Sequence, residues 1–101
     1  ERPALRISVD SVNGAGETAL GVAARKGNTW MTYCLLKRGA SPHVSPLPFK
    51  LTPLHLAARL GRLTTVALLL EHGARMDAKD DQGKTPWDLA TEHVRVQALL
   101  Q

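Results

Sequence analysis

The stretch Thr52-Pro53-Leu54-His55-Leu56-Ala57-Ala58-Arg59-Leu60-Gly61 decides the fold of this chain. Thr52 is a good helix N-cap, because its hydroxyl accepts a hydrogen bond from the free amides of the first turn. Pro53 then stands at the first helical position, where a missing N–H costs nothing. Apolar residues recur three and four positions after Leu54, which predicts a helix with one thin apolar stripe, and Gly61 ends it.

A second helix is predicted immediately afterwards, from about Arg62 to His72. Its apolar face is formed by Leu63, Val66, Leu69 and Leu70. Gly73 follows directly, at the position where helices commonly end in the left-handed conformation. Helices this short are marginal alone in water, so the pair must bury its apolar sides against neighbouring pairs.

The same pattern occurs three times in the chain. The threonines that begin the copies, Thr18, Thr52 and Thr85, lie 34 and 33 residues apart. A second marker agrees, since Leu35-Leu36-Lys37-Arg38-Gly39-Ala40 recurs in related form at residues 69–74, again 34 positions later. Two independent markers with one period indicate a repeat architecture.

These residues resemble the ankyrin repeat family, whose signature is Thr-Pro-Leu-His-x-Ala at a period near 33. Residues 52–58 match that signature fully, and the first and third copies match it in part. The resemblance covers roughly residues 9–101 and implies an all-α solenoid of about three stacked helix hairpins with short connecting loops and a truncated last repeat. The repeats are expected at about residues 14–46, 47–80 and 81–101. Residues 1–8 are either an N-terminal lead or the remnant of a preceding repeat.

Three places depart from the family pattern. In the first copy Gly21 stands where the family has the motif histidine, so a local hydrogen bond is expected to be missing. The link 41–51 carries three prolines, which predicts that its finger-like turn is distorted into an extended loop. By contrast, residues 76–84 have ordinary turn chemistry. In the last copy no glycine separates the two helices, so a single continuous helix and a hairpin with a tight turn are both open.

The composition limits the kinds of function. Lys and Arg number 13 against 9 acidic residues, and this net charge of +4 favours an acidic partner surface but is weaker than the patches of nucleic-acid binders. One cysteine, Cys34, cannot form an internal disulfide, which indicates the cytoplasm or nucleus. The sequence has no apolar run of about 18 residues, so no membrane span is expected. The chain begins at Glu1 without a signal peptide and is interpreted as a fragment of a longer protein.

The resemblance implies that partners bind on the concave face of the solenoid, formed by loop tips and inner helices. From the first two repeats, mapping these positions onto the chain selects as partner-binding residues Arg25, Lys26, Arg38, Phe49, Leu51, Arg59, Leu60 and His72. From the third repeat, which is mixed and more acidic, the mapping selects Asp81, Gln82, Lys84, Glu92 and His93. Phe49, Leu51 and Leu60 are predicted to form an apolar anchor surrounded by the arginine and lysine side chains. The predicted ligand is an acidic protein segment that carries a hydrophobic residue. The alternative is that the proline-rich loop folds over and buries Phe49 itself.

Trp30 and Tyr33 fall three residues apart on solvent-facing positions of an outer helix. They are candidates for a second contact surface. The preferred alternative is that the proline-rich loop or the N-terminal residues cover them.

Residues suited to catalysis or metal binding do not cluster in the sequence. The four histidines show no metal-ligand spacing, and His55 suits a hydrogen bond at the start of its helix. Cys34 aligns with Leu68, which predicts a buried structural thiol. No glycine-rich phosphate loop is present. No enzyme activity and no cofactor are therefore expected.

The sequence predicts a protein–protein interaction module of a larger scaffold or regulatory protein, acting as a monomer. The alternative function is binding of a polyanion, either nucleic acid or anionic lipid, through the basic surface of the first two repeats. That alternative predicts an affinity that falls steeply with salt.

Overall fold

The computed structural model describes residues 12–14, 17–44 and 49–101. Within these residues the chain forms three helix pairs: α1 Ala19–Lys26 with α2 Thr29–Lys37, α3 Pro53–Arg59 with α4 Leu63–Glu71, and α5 Pro86–Leu89 with α6 Val94–Leu99. The inner helices α1, α3 and α5 pack on one another in order, and so do the outer helices α2, α4 and α6. This two-layered stack confirms the predicted all-α ankyrin solenoid.

Leucine and alanine build the core between the two layers. Alanines on the inner helices keep their apolar faces thin, so neighbouring helices approach closely. The contiguous core cluster among the described residues consists of Leu20, Ala24, Leu36, Ala40, Leu54, Ala57, Ala58, Val66, Leu69, Ala74, Ala90, Val96 and Leu100. They run through all three pairs, so no pair has a separate core.

The inner helices begin as the sequence predicts. The hydroxyl oxygens of Thr18, Thr52 and Thr85 each accept a hydrogen bond from a backbone N–H of the first turn. Gly61 joins α3 to α4 with a φ of +72°, and a Cβ there would lie 2.6 Å from Nδ1 of His93. Glycine is therefore required for both its conformation and its lack of a side chain.

The last repeat is a hairpin and not one continuous helix. The helix α5 ends at Leu89, and a turn in which the N–H of His93 donates to the carbonyl of Ala90 (3.0 Å) leads into α6. Only a reversal of the chain brings Val96 and Leu100 back against the outer layer, where both are buried. The burial of Val96 and Leu100 thus favours the hairpin over the continuous helix, two alternatives between which the local sequence did not distinguish.

The loop before each inner helix forms a finger-like turn, and equivalent residues of the first and third turns make equivalent hydrogen bonds. The first finger contains Asn13 and Glu17, the second contains Phe49 to Leu51, and the third spans residues 76–84. The N–H of Asp80 donates to the carbonyl of Lys84 (2.9 Å), and Oδ1 of Asp80 accepts from the Lys84 N–H (2.9 Å). Asn13 makes the same pair of hydrogen bonds with Glu17, at 2.9 and 3.0 Å. The ordinary turn chemistry predicted for residues 76–84 is confirmed.

The second finger carries a lysine at a position where the third finger carries a glycine. Lys50 has a φ of +59°, at the position that Gly83 occupies with a φ of +77° in the third. A residue with a Cβ is disfavoured in this conformation. The prolines at positions 46 and 48 lie outside the described residues, so the predicted extended loop there stays a prediction.

Candidate partner-binding surface

An open groove of about 330 Å³ runs between the second and third repeats on the side of the fingers and inner helices. Its lining residues are Phe49, Leu51, Arg59, Asp80, Asp81, Gln82 and Leu89. The inner helices supply Arg59 and Leu89, whereas the two fingers supply the others. The groove therefore combines an apolar floor with charged edges of both signs.

Phe49 is the most exposed apolar side chain of this groove, with 61% of its surface accessible. The alternative in which its loop buries this ring is therefore wrong. The carbonyl of Phe49 accepts a hydrogen bond from the N–H of Asp81 (3.0 Å), which ties the second finger to the third. This hydrogen bond positions the backbone of Phe49, while its ring stays accessible.

The eight predicted site residues do not all lie together. Phe49, Leu51 and Arg59 line the groove together. Lys26 and Leu60 lie at the carboxyl ends of the inner helices, as the last residue of α1 and the C-cap of α3.

Two further predicted residues, Arg38 and His72, are the C-caps of the outer helices α2 and α4. The Nδ1–H of His72 donates to the carbonyl of Leu68 (3.0 Å), so its ring is engaged in its own helix end. Leu60 is exposed but is absent from the lining of the groove. The structure thus places three of the eight residues at one groove.

Arg25, the remaining predicted residue, is paired within its own repeat. Its guanidinium contacts the carboxylate of Glu17 through two hydrogen bonds of 3.1 and 3.3 Å. Exposed pairs of this kind contribute little stability. The pairing nevertheless neutralises part of the basic surface that the sequence predicts for the first repeat.

The third finger supplies two acidic residues to the groove, whereas Arg59 lies at the far, carboxyl end of α3. Although partial burial of Asp80 acts in the other direction, the backbone N–H groups of Lys84 and Gln82 lower the pKa of this carboxyl. Asp80 is therefore held as a carboxylate inside its turn. Asp81 is exposed beside it and presents a second acidic side chain.

Leu89 and Asp80 line the groove, although the mapping from the sequence did not select them. Leu89 is the last residue of α5 and is half-buried. Its equivalent in the second repeat, Leu56, is also half-buried, and that shared position on the inner face is the signal that points to it.

Trp30 and Tyr33 form an exposed aromatic pair on α2. Their ring centroids are 5.7 Å apart with an angle of 27° between the planes, and 70% of Trp30 is accessible. Nζ of Lys37 lies 5.8 Å from the centre of the Tyr33 ring, within the range of a cation–π contact. The interpretation that these rings are covered is wrong. Cys34, predicted to be buried, is only half-buried on the same helix.

His55 is a structural hydrogen bonder, as predicted, and it joins two repeats. Its Nδ1 accepts from the N–H of Thr52 (3.2 Å), and its Nε2–H donates to the carbonyl of Lys84 (2.9 Å). The residue is fully buried. This arrangement requires the neutral tautomer with its proton on Nε2, because a carbonyl oxygen only accepts.

In the part of the chain that the structure describes, no three His, Cys, Asp or Glu residues are placed to hold a metal ion. Across the same residues, every helix is too short or too polar to cross a bilayer.

Several characterised proteins are similar to this chain. It is 44% identical over 100 residues to cyclin-dependent kinase inhibitor 2A of Monodelphis domestica, a match that covers 96% of the chain and 57% of that protein. It is 37% identical over 83 residues to human cyclin-dependent kinase 4 inhibitor B, covering 82% of the chain and 59% of the inhibitor. A third match, 35% identical to the E3 ubiquitin-protein ligase Ufd4 of Drosophila melanogaster, covers 94% of the chain and 4% of the ligase. The chain thus spans less than two thirds of each of these relatives.

The profile described as ankyrin repeats, in three copies, matches residues 20–101. This range contains all six helices apart from the first residue of α1. Ankyrin repeats are protein-interaction modules. The ligase is an enzyme by name, but the chain matches only 4% of it. Because its three helix pairs stack and the ankyrin profile matches most of its length, the chain belongs to the ankyrin repeat family.

Proposed function

We propose that this chain binds a partner protein along the groove between its second and third repeats. The main observation in support of the proposal is that the large apolar ring of Phe49 is accessible in a groove that Leu51 and Leu89 also line. Aromatic side chains at the centre of such a surface supply most of the binding energy of many interfaces. The surface is largely preformed, so little ordering is needed on binding.

The charges at the edges of the groove define the partner segment. Arg59 is exposed at the carboxyl end of α3 and suits a bidentate contact with a carboxylate. Asp80 and Asp81 of the third finger suit a basic or hydrogen-bond-donating group. The segment that fits therefore has an apolar residue flanked by an acidic residue on the Arg59 side, which is narrower than a generally acidic ligand.

The names of two relatives indicate the class of partner to test first. Both are, by name, inhibitors of cyclin-dependent kinases, and the chain covers more than half of each. We infer that a cyclin-dependent kinase is the partner, bound by one copy of the chain in the cytoplasm or nucleus. The unpaired Cys34 is in keeping with those compartments.

The experiment is equilibrium binding of the chain to a purified cyclin-dependent kinase. Phe49→Ala and Arg59→Glu are each expected to weaken binding at least about tenfold, since each removes one contact of roughly 1.4 kcal/mol or more. Val94→Ala is the matched control, because Val94 is the most accessible apolar side chain of the outer helices and is not among the groove residues. Circular dichroism establishes that each variant is folded.

Unchanged affinity in both groove variants contradicts the assignment of the groove. A heparin titration at two salt concentrations tests polyanion binding, which predicts a steep loss of affinity with salt. Such a loss, together with no binding to the kinase, favours the alternative function.

A further inference from the structure

The outer helix of the first repeat exposes an aromatic pair that the next outer helix lacks. Trp30 and Tyr33 are stacked with 5.7 Å between their ring centroids, and 70% of Trp30 is accessible. The equivalent residues of α4 are Thr64 and Ala67, and α4 packs in the same layer without rings at these positions. The stacking of the outer helices therefore does not require the two aromatic side chains. Adjoining exposed rings are typical of interaction sites.

The charged side chains around the aromatic pair are cationic. Nζ of Lys37 lies 5.8 Å from the centre of the Tyr33 ring, and Arg38 follows as the exposed C-cap of α2. Before the other end of this helix, the exposed Lys26 ends α1 two residues ahead of the N-cap Asn28. Between residues 18 and 70 the sequence has seven lysines and arginines and no aspartate or glutamate. An anionic ligand therefore complements the charge of this surface.

The size of the surface matches a short peptide segment. Trp30, Tyr33 and Lys37 lie on one face of α2, because residues three and four positions apart are neighbours on a helix surface. We call these three residues the aromatic face of α2. The helix has nine residues, so its face is about 14 Å long. An extended segment of about four residues covers this length.

The aromatic face of α2 does not continue onto the second repeat. The residue of α4 that corresponds to Lys37 is the exposed Glu71, and α4 packs directly against α2. A flat anionic surface such as a bilayer, laid on the outer layer, therefore meets a carboxylate beside the aromatic face. A segment that lies along α2 alone does not. The charges thus favour a protein segment over a membrane.

We propose that the aromatic face of α2 binds an acidic segment of a second partner protein. An apolar residue of the segment packs on the Trp30 ring, and its carboxylates pair with Lys37 and with Arg38 at the end of the helix. The groove between the second and third repeats lies on the side of the fingers and inner helices, whereas α2 belongs to the outer layer. The two surfaces share no residue, so the chain holds two partners at once and this inference does not rest on the proposed function.

The experiment is a titration of the chain with a synthetic peptide in which a single leucine lies between glutamate residues. Trp87→Phe is introduced first, so that Trp30 is the only indole of the chain and its fluorescence reports on the aromatic face alone. We expect the emission of Trp30 to shift to shorter wavelength as the leucine covers the ring. Raising the salt concentration should weaken the binding, because the charged groups involved are exposed.

Substitutions then locate the bound peptide, with a fluorescein label on the peptide and anisotropy as the readout. Trp30→Ala and Lys37→Glu are each expected to weaken binding at least about fivefold. Thr64→Ala, at the position of α4 equivalent to Trp30, is the matched control, and Phe49→Ala removes the aromatic ring of the groove. Both are expected to leave the affinity unchanged. Circular dichroism establishes that each variant is folded.

Four results overturn the proposal. The first is the absence of any change in Trp30 emission at millimolar peptide. The second is a loss of affinity in Phe49→Ala and not in Trp30→Ala, which places the acidic segment in the groove and leaves the proposed function standing. The third is a shift of Trp30 emission with vesicles of phosphatidylserine and phosphatidylcholine that the peptide does not prevent, which identifies a membrane as the ligand. The fourth is a chain that sediments as a dimer and that Trp30→Ala converts to a monomer, which identifies a second copy as the occupant.

Discussion

The second repeat is tied to its successor by a buried histidine, whereas the first repeat has a glycine at the same position. The Nε2–H of His55 reaches the carbonyl of Lys84 across 2.9 Å. Gly21 has no side chain, and the Thr18 hydroxyl at the start of its helix accepts from the Gly21 N–H at 3.1 Å.

At the other end of the inner helices the two junctions are alike. Nη2 of Arg62 donates to the carbonyl of Arg25 (3.3 Å), and the Nε2–H of His93 donates to the carbonyl of Arg59 (3.1 Å). The contrast between Gly21 and His55 is thus local to the helix starts. It predicts that the His55 hydrogen bond strengthens the junction of the second and third repeats, whereas the junction of the first and second repeats lacks such a bond at this position.

The largest expected effect comes from His55→Ala. The change leaves the Thr52 N–H without its acceptor, removes the donor to Lys84, and opens a cavity at a fully buried position. We expect a loss of about 2–4 kcal/mol in the free energy of unfolding. Urea denaturation followed by circular dichroism measures it.

Gly21→Ala is the matched variant for the first repeat. A Cβ on Gly21 would meet Oγ1 of Thr18 at 3.5 Å and Cδ1 of Leu56 at 3.9 Å, which are ordinary contacts. Because alanine is the better helix former, stability should rise by about 0.5–1 kcal/mol. A loss of similar size in both variants would show that the two positions carry equal weight and that the contrast is unfounded.

The helix starts could be predicted from the sequence because their chemistry is local. A Thr-Pro pair both caps a helix and fixes its first dihedral angle, so the beginnings of α3 and α5 follow from two adjacent residues. The end of α4 before Gly73 follows in the same way, and the structure gives this glycine a φ of +90°. The period of 33 to 34 residues then fixes the stacking.

The candidate site was only partly predictable, because its residues meet through contacts distant in sequence. The backbone of Phe49 accepts a hydrogen bond from Asp81, which lies 32 residues later in the next finger. Arg38 and His72 occupy the C-caps of outer helices, a placement set by the geometry of each hairpin. The hairpin of the last repeat likewise follows from the burial of Val96 and not from a local turn signal.

A smaller effect is expected where the second and third fingers differ. Lys50 holds a φ of +59° that glycine adopts without steric cost, so Lys50→Gly should stabilise the chain by about 0.5–1 kcal/mol. Gly83→Lys makes the reverse exchange, at a site where a Cβ would meet no atom within 4 Å, so its cost is conformational alone. Thermal unfolding of the two variants should shift the midpoint in opposite directions, and a shift in the same direction would contradict the comparison.

The smallest expected effect is a loss of stability in acid, which arises at a helix start of the third repeat and has no counterpart at the same position of the second. The third repeat has Asp88 where the second has His55. The backbone N–H of Thr85, and then its hydroxyl, donate to Oδ2 of Asp88 and lower the pKa of this carboxyl below its ordinary value of 3.8. A carboxyl with a lowered folded-state pKa stabilises the chain above its unfolded-state pKa, and this contribution is lost as the pH falls through the folded-state value.

The urea midpoint should therefore fall as the pH is lowered from about 5 to about 3, and more gently in Asp88→Asn, which keeps an acceptor but does not titrate. Asp81→Asn is the control, because Asp81 lies in the finger turn and caps no helix. Asp77, whose pKa is lowered by its hydrogen bond to Arg75, retains its own share of the acid dependence in both variants. If the hydrogen bonds between Thr85 and Asp88 do not depend on the carboxylate charge, the urea midpoint of Asp88→Asn falls with pH as steeply as that of the unsubstituted chain. An equal dependence on pH in the two proteins would therefore contradict this prediction.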